Sequence, residues 1–146
     1  MIIPNLMVRD IQQSLGFYRD LLGMKIVVFV SPANNVSFEG SGQGVAFATL
    51  EWKGVEGDPA SGGQLMLQTP DSLASELDCY APSSSPTASG TIYFRGFSPD
   101  ELADKISPDL IIKGPLVQWY GMKELYLRDP DGYVICLGIP DGSAPQ

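Results

Sequence analysis

Residues 3–23 have the sequence IPNLMVRDIQQSLGFYRDLLG, which predicts a strand followed by a helix. Residues 2–9 alternate weakly between apolar and polar side chains, as a strand does. Asp10 then stands at the position of a helix N-cap, and Gly23 at the position of a C-terminal stop. Between them apolar side chains recur at helical spacing: Ile11, Leu15, Tyr18 and Leu22. We therefore predict an amphipathic helix over residues 11–22.

The rest of the chain predicts the same order of elements twice. Apolar, β-branched runs separated by Gly, Pro, Asn and Ser predict strands at 24–30, 44–53, 63–69, 91–97, 111–120, 124–128 and 133–139. A second helix begins at Ser98, with Pro99 at its first position and Glu101 three residues after the cap. Both halves thus follow a β-α-β-β-β order, which indicates a duplicated α+β architecture. We expect a single domain over 1–146, with one module in residues 1–70, a linker in 71–90 and a second module in 91–140.

Composition excludes several classes of function. Nine basic and seventeen acidic side chains give the 146 residues a net charge of −8, so we expect neither nucleic acid nor a membrane surface as a partner. No stretch approaches the roughly 20 apolar residues of a membrane span, and no signal peptide is visible, so a cytoplasmic protein is expected. The two cysteines, Cys79 and Cys136, do not form a disulfide framework. Without any histidine, no Ser–His or Cys–His catalytic pair can form.

Two stretches resemble a known family. Residues 3–10 with 17–23, and residues 120–132 (YGMKELYLRDPDG), are similar to the vicinal oxygen chelate superfamily of glyoxalases, bleomycin resistance proteins and dioxygenases, and most similar to its bleomycin-resistance branch. The resemblance implies that each βαβββ module folds into a curved mixed sheet and that two modules form a funnel. It also implies a homodimer.

The resemblance bears directly on metal chemistry. Metal-using relatives carry one ligand, usually His or Glu, on the first and fourth strands of each module. The matching positions here are Ile3, Met66, Thr91 and Cys136. None is His, Asp or Glu, and this set cannot hold a hard divalent cation or zinc. We therefore expect no metal and no cofactor.

Alternation along the strands predicts which side chains face the funnel. Residues two positions from a presumed ligand position share its face. The opposite face is uniformly apolar: Leu6, Val8, Leu65, Leu67, Ile92, Phe94, Ile135 and Leu137. The predicted ligand-binding residues, including nearby aromatics, are Asn5, Met7, Phe47, Trp52, Gln64, Met66, Gln68, Tyr93, Arg95, Trp119, Glu124 and Cys136. Their mixed polarity indicates a ligand-filled cavity or, alternatively, a small watery cleft whose amides pair with one another.

Three functions are consistent with these features. The leading hypothesis is a metal-independent protein that binds or sequesters a small molecule, such as the cationic, partly aromatic antibiotics held by drug-binding relatives. Glu39, Glu51 and Glu124 are the carboxylates expected to meet a cationic ligand. The first alternative is a metal-independent isomerase or lyase using Tyr93, Arg95, Glu124 or Cys136, which requires shifted pKa values. The second is a non-catalytic regulatory or partner-binding module.

Overall fold

The computed structural model describes residues 2–143, which form two compact units, each with its own β-sheet. Unit 1 contains the chain up to Trp52 together with Gly63–Thr87. Unit 2 contains Lys53–Gly62 together with the chain from Ala88 onward. Each sheet is mixed and accompanied by few helices, so the predicted α+β class is confirmed.

Unit 1 follows the predicted β-α-β-β-β order with two additions. Its elements are β1 (Asn5–Met7), α1 (Ile11–Leu15, continued as a π-helical segment over Gly16–Leu21), β2 (Lys25–Val30), β3 (Val36–Ser37), β4 (Phe47–Trp52), β5 (Gly63–Gln68) and α2 (Pro70–Glu76). The sheet order is β1-β5-β4-β2-β3. The pair β1–β5 is parallel and the other pairs are antiparallel.

The residues that predicted the first helix also determine where it begins and ends. The Asp10 carboxylate accepts hydrogen bonds from the backbone N–H groups of Gln12 at 2.7 Å and Gln13 at 3.3 Å. Gly23 follows the helix with φ of +74°, a conformation that favours glycine. All four side chains of the predicted apolar stripe are buried: Ile11, Leu15, Tyr18 and Leu22. The π-helical second half was not predicted, because apolar spacing does not distinguish one helical geometry from another over two turns.

Unit 2 repeats the predicted order. Its elements are β6 (Thr91–Arg95), α3 (Pro99–Ala103), a 3₁₀ turn (Pro108–Leu110), β7 (Ile111–Val117), β8 (Met122–Arg128) and β9 (Val134–Pro140). The sheet order is β6-β9-β8-β7, with β6–β9 parallel and the others antiparallel. Between β8 and β9, Asp129 Oδ1 accepts hydrogen bonds from the backbone N–H groups of Asp131 and Tyr133, so the Asp-Pro-Asp-Gly motif forms a turn.

Two local features differ from the sequence prediction. The segment predicted as a linker begins with α2. Leu73 is the one buried residue of this helix, so too few apolar positions repeat to indicate a helix from the sequence. Ser98 does precede α3, but its side chain makes no capping hydrogen bond. Within residues 2–143, no helix has the length and apolar character needed to cross a bilayer.

Candidate ligand-binding site

Most side chains of the predicted apolar strand face are buried. On β1 and β5, the side chains of Leu6, Val8, Leu65 and Leu67 are between 0% and 8% exposed. On β9, Ile135 and Leu137 are fully buried. Because side chains alternate across a strand, the intervening residues lie on the opposite face of each sheet. That opposite face is where the predicted binding residues lie.

Unit 1 contains a cleft of about 1150 Å³. Its lining includes four of the predicted residues, Asn5 on β1, Phe47 on β4, and Met66 and Gln68 on β5. The strand pairing brings these residues together, because Asn5 pairs with Met66 and Phe47 pairs with Gln68. The lining also includes three charged residues and many hydroxyl side chains, which are Arg9, Asp71, Glu76, Ser31, Thr69, Ser72, Ser75, Ser83, Ser84 and Ser85.

A hydrogen-bonded relay crosses the cleft lining. Asn5 Nδ2 donates to Gln68 Oε1 at 2.7 Å, and Gln68 Nε2 donates to Ser72 Oγ at 2.9 Å. Gln68 is only 2% exposed, and the relay satisfies both ends of its amide, as burial requires. The amides therefore do pair with one another, but the cleft is far larger than the small watery one that the sequence left as an alternative. The relay fixes the orientation of Asn5 on the cleft surface.

Three predicted residues of unit 1 lie outside this lining. Met7 is only 9% exposed. Trp52 and Gln64 are at the far end of the β4–β5 pair, where Trp52 pairs with Gly63 and Gln64 with Glu51. Gln64 and Gln68 are on the same face of the same strand, four residues apart, and only Gln68 lines the cleft.

Unit 2 holds a completely buried carboxylate, that of Glu124 on β8. The Tyr120 hydroxyl donates to it, with its oxygen 2.9 Å from both carboxylate oxygens, and the Tyr126 hydroxyl donates to Oε2 at 2.6 Å. Gln118 Nε2 donates to the Tyr126 hydroxyl at 3.5 Å, and the Tyr93 hydroxyl lies near Glu124, beside Gly138 of the neighbouring strand. We call these four residues with Glu124 the tyrosine cage. The cage places a negative charge inside a ring of neutral donors.

The cage depends on a glycine in the neighbouring strand. Gly138 on β9 pairs with Glu124, and a Cβ at this glycine would lie 2.1 Å from the Tyr93 hydroxyl. Such a distance is impossible for two non-bonded heavy atoms. Gly138 therefore leaves the space that the Tyr93 hydroxyl occupies.

The cage shifts the pKa of its members. Burial alone would raise the pKa of Glu124, but the hydroxyls of Tyr126 and Tyr120 donate to the charged form and hold its pKa below the ordinary value. Donating to the Glu124 carboxylate raises the pKa of Tyr126, and burial raises that of Tyr93. Burial, reinforced by the Glu124 charge, raises the pKa of the Cys136 thiol to about 11. At neutral pH the cage therefore holds a carboxylate, protonated phenols and a protonated thiol.

The remaining predicted residues of unit 2 are partly connected to the cage. Trp119 is 66% exposed and packs edge to face on Tyr120, with ring centroids 5.3 Å apart. Arg95 is engaged elsewhere, because its Nε donates to Asp58 Oδ2 at 3.0 Å. The structure thus gathers Tyr93, Glu124 and Cys136, adds Trp119 through Tyr120, and ties Arg95 to the 53–62 segment.

Sequence reasoning missed several residues of both sites. In the cleft it missed Arg9. It also missed the residues of α2, because that helix was not predicted. In the cage it missed Gln118 and Tyr126. Tyr126 could have been found, since it is two residues from Glu124 and so shares its strand face. Gln118 is on the preceding strand connection, and only the β7–β8 pairing shows its proximity.

The four family metal positions do not fit a metal. Ile3 has no donor atom, and Met66 and Thr91 are poor ligands for hard divalent cations. Cys136 is buried with its pKa raised, so its thiol is the protonated, non-ligating form at neutral pH. Across the described range, 2–143, no three His, Cys, Asp or Glu side chains come close enough to share an ion.

Solved structures similar to this chain show the same fold. A protein of unknown function from Agrobacterium tumefaciens is 22% identical with a TM-score of 0.65, over 95% of this chain and 92% of that one. TioX from Micromonospora sp. is 13% identical with a TM-score of 0.64, over 95% and 97%. A superfamily member from Sphaerobacter thermophilus is 21% identical with a TM-score of 0.60, over 95% and 96%. At such identities the likeness establishes the fold alone.

Family membership comes from the sequence itself. No curated protein matches the chain significantly. A family model for the glyoxalase/bleomycin resistance protein/dioxygenase superfamily, however, matches residues 3–137. This range includes both units and both stretches that carried the resemblance. The chain belongs to the glyoxalase/bleomycin resistance protein/dioxygenase superfamily.

Proposed function

We propose that this superfamily member binds and sequesters a small molecule in the unit 1 cleft without the help of a metal. The observation that supports this most strongly is the cleft itself, whose volume of about 1150 Å³ can take a drug-sized molecule. Ligand sites of this kind occupy about 300–1000 Å³ and combine apolar walls with a few fixed polar groups. Phe47 and Met66 supply the apolar surface, and Asn5, held by Gln68, supplies a fixed amide.

The lining indicates the chemistry of the ligand. Hydroxyl and amide groups are numerous, so a molecule with many hydrogen-bonding groups fits better than a plain hydrocarbon. The lining contains one positive side chain, Arg9, and two negative ones, Asp71 and Glu76, which favours a ligand with a cationic part. Because the family name includes bleomycin resistance, we propose an antibiotic of this general character and a role in resistance.

The alternative of a metal-independent enzyme has less support. General acid–base catalysis works best when the catalytic pKa is near the operating pH. In the tyrosine cage the pKa of Glu124 is lowered, and those of Tyr93 and Tyr126 are raised. The Cys136 thiol, with a pKa of about 11, is a poor nucleophile at neutral pH. The regulatory alternative also has less support. It would be favoured by a cavity filled with the protein's own side chains, and the unit 1 cleft is open. The homodimer and the cytoplasmic location remain predictions.

Calorimetric titration with metal-free bleomycin tests the proposal. We expect saturable binding, with the drug recovered unchanged by mass spectrometry. Gln68→Leu should weaken binding about tenfold, because breaking one relay hydrogen bond to a ligand-orienting amide costs on the order of 1.4 kcal/mol. Gln64→Leu is the matched control, since it makes the same change on the same strand face outside the cleft. Thermal melting of both variants confirms that they fold.

Three outcomes would refute sequestration in the cleft. The first is conversion of the bound drug into a product. The second is equal weakening by the two glutamine variants. The third is an absence of binding by bleomycin and by a panel of other cationic, partly aromatic antibiotics.

A further inference from the structure

No lysine or arginine in the part of the chain that the structure describes forms an ion pair with the Glu124 carboxylate. Its strongest hydrogen bonds come from the neutral hydroxyls of Tyr120 and Tyr126. Hydroxyl donors satisfy the lone pairs of a carboxylate but leave its charge uncompensated. Because no cationic side chain neutralises it, this buried negative charge can attract a cationic ligand.

Aromatic rings lie between this charge and solvent. Tyr93 is 45% exposed and lies near Glu124, and Tyr120 is 38% exposed and donates a hydrogen bond to it. Trp119 extends the aromatic surface through its contact with Tyr120. The faces of tryptophan and tyrosine rings attract cations, and a full negative charge behind them adds to the attraction.

The nearby cations of the protein leave these rings available. Lys113 Nζ is 5.9 Å from the centroid of the Tyr126 ring, at the side of the cage where β7 pairs with β8. Arg95 shares a strand with Tyr93 but is held by Asp58, with Met122 Sδ 3.6 Å from its Nη1. Among residues 2–143, no lysine or arginine stacks on Tyr93, Tyr120 or Trp119.

We infer that unit 2 carries a binding site for a small organic cation, whose charge rests against Tyr93, Tyr120 and Trp119 with Glu124 behind them. A diffuse cation such as a quaternary ammonium group suits the site, because it needs no lone pair and the Glu124 lone pairs are already used. A metal ion would have to displace the tyrosine hydroxyls. All residues of this site belong to unit 2, and none of them lines the unit 1 cleft.

Titration of the full chain with choline tests this site. Choline carries a quaternary ammonium group, and 3,3-dimethylbutan-1-ol is its neutral carbon analogue of nearly the same shape. We expect choline to shift the NMR signal of the Trp119 indole N–H saturably, and the neutral analogue to bind at least about tenfold more weakly. Saturation transfer from the protein to the choline methyl protons measures binding in every variant.

Three variants locate the site. Glu124→Gln should weaken choline binding about tenfold, and Trp119→Ala should weaken it several-fold. Glu101→Gln is the matched control, because it removes the same charge from an exposed position of the same unit, on α3, and should leave binding unchanged. If Glu124→Gln does not fold, Trp119→Ala decides the question, since a side chain this exposed does not support the core.

The inference fails if choline and its neutral analogue bind equally well. It also fails if Glu101→Gln weakens binding as much as Glu124→Gln, or if Trp119→Ala has no effect. Gln68→Leu separates the two sites, because it should reduce bleomycin binding and leave choline binding unchanged. If the wild type binds choline but neither bleomycin nor the other antibiotics of the panel, the proposed function is refuted and the choline site is not.

Discussion

At the residue scale, the cage around Glu124 depends on the missing side chain of Gly138. Substitution Gly138→Ala places a methyl group 2.1 Å from the Tyr93 hydroxyl, so the tyrosine must move away from Glu124. We expect a loss of about 1–3 kcal/mol in unfolding free energy, the usual range for overpacking. Urea denaturation measures it. Gly90→Ala is the control, because a Cβ there meets nothing within 4 Å, and equal losses in the two variants would contradict this account.

At the element scale, two helix starts with suitable cap residues differ in what the cap does. The Asp10 side chain makes two hydrogen bonds to α1, whereas the Ser98 side chain makes none to α3. Asp10→Ala should therefore lower the unfolding free energy by about 1 kcal/mol, and Ser98→Ala by clearly less. Chemical denaturation of both variants tests the difference. A larger loss for Ser98→Ala would show that residue type, rather than the observed bond, determines the contribution.

Elements with repeating apolar positions were predictable, and the rest were not. The alternation along β5 correctly predicted that Leu65 and Leu67 are buried, but it did not predict that Gln68 on the opposite face is buried as well. Helix α2 was missed because Leu73 alone marks its buried side. The cage was only partly predictable, since Tyr120 and Glu124 are near in sequence but Tyr93 reaches them through strand pairings that single-sequence patterns do not specify.

At the scale of the whole molecule, the Glu124 charge makes stability depend on pH. Its pKa in the folded chain is below the ordinary 4.5, so the folded state favours the ionised carboxylate. This contribution is complete above the unfolded-state pKa and is lost as the pH falls through the folded-state value. Wild-type unfolding free energy should therefore fall more steeply than that of Glu124→Gln between about pH 5 and pH 3. Parallel curves in urea titrations across this range would rule out the effect.

The 53–62 segment has a consequence for how the chain can assemble. It lies between two strands of unit 1 but belongs to unit 2, where Asp58 meets Arg95, 37 positions later. During synthesis, Asp58 cannot pair with Arg95 until the ribosome has released that later part of the chain. The segment can therefore complete its contacts with unit 2 only after β4 and β5, which flank it, have been synthesised. Cutting the polypeptide after residue 87 would place Asp58 in the N-terminal fragment and Arg95 in the C-terminal one, so each side chain would lose its ion-pair partner unless the fragments associate.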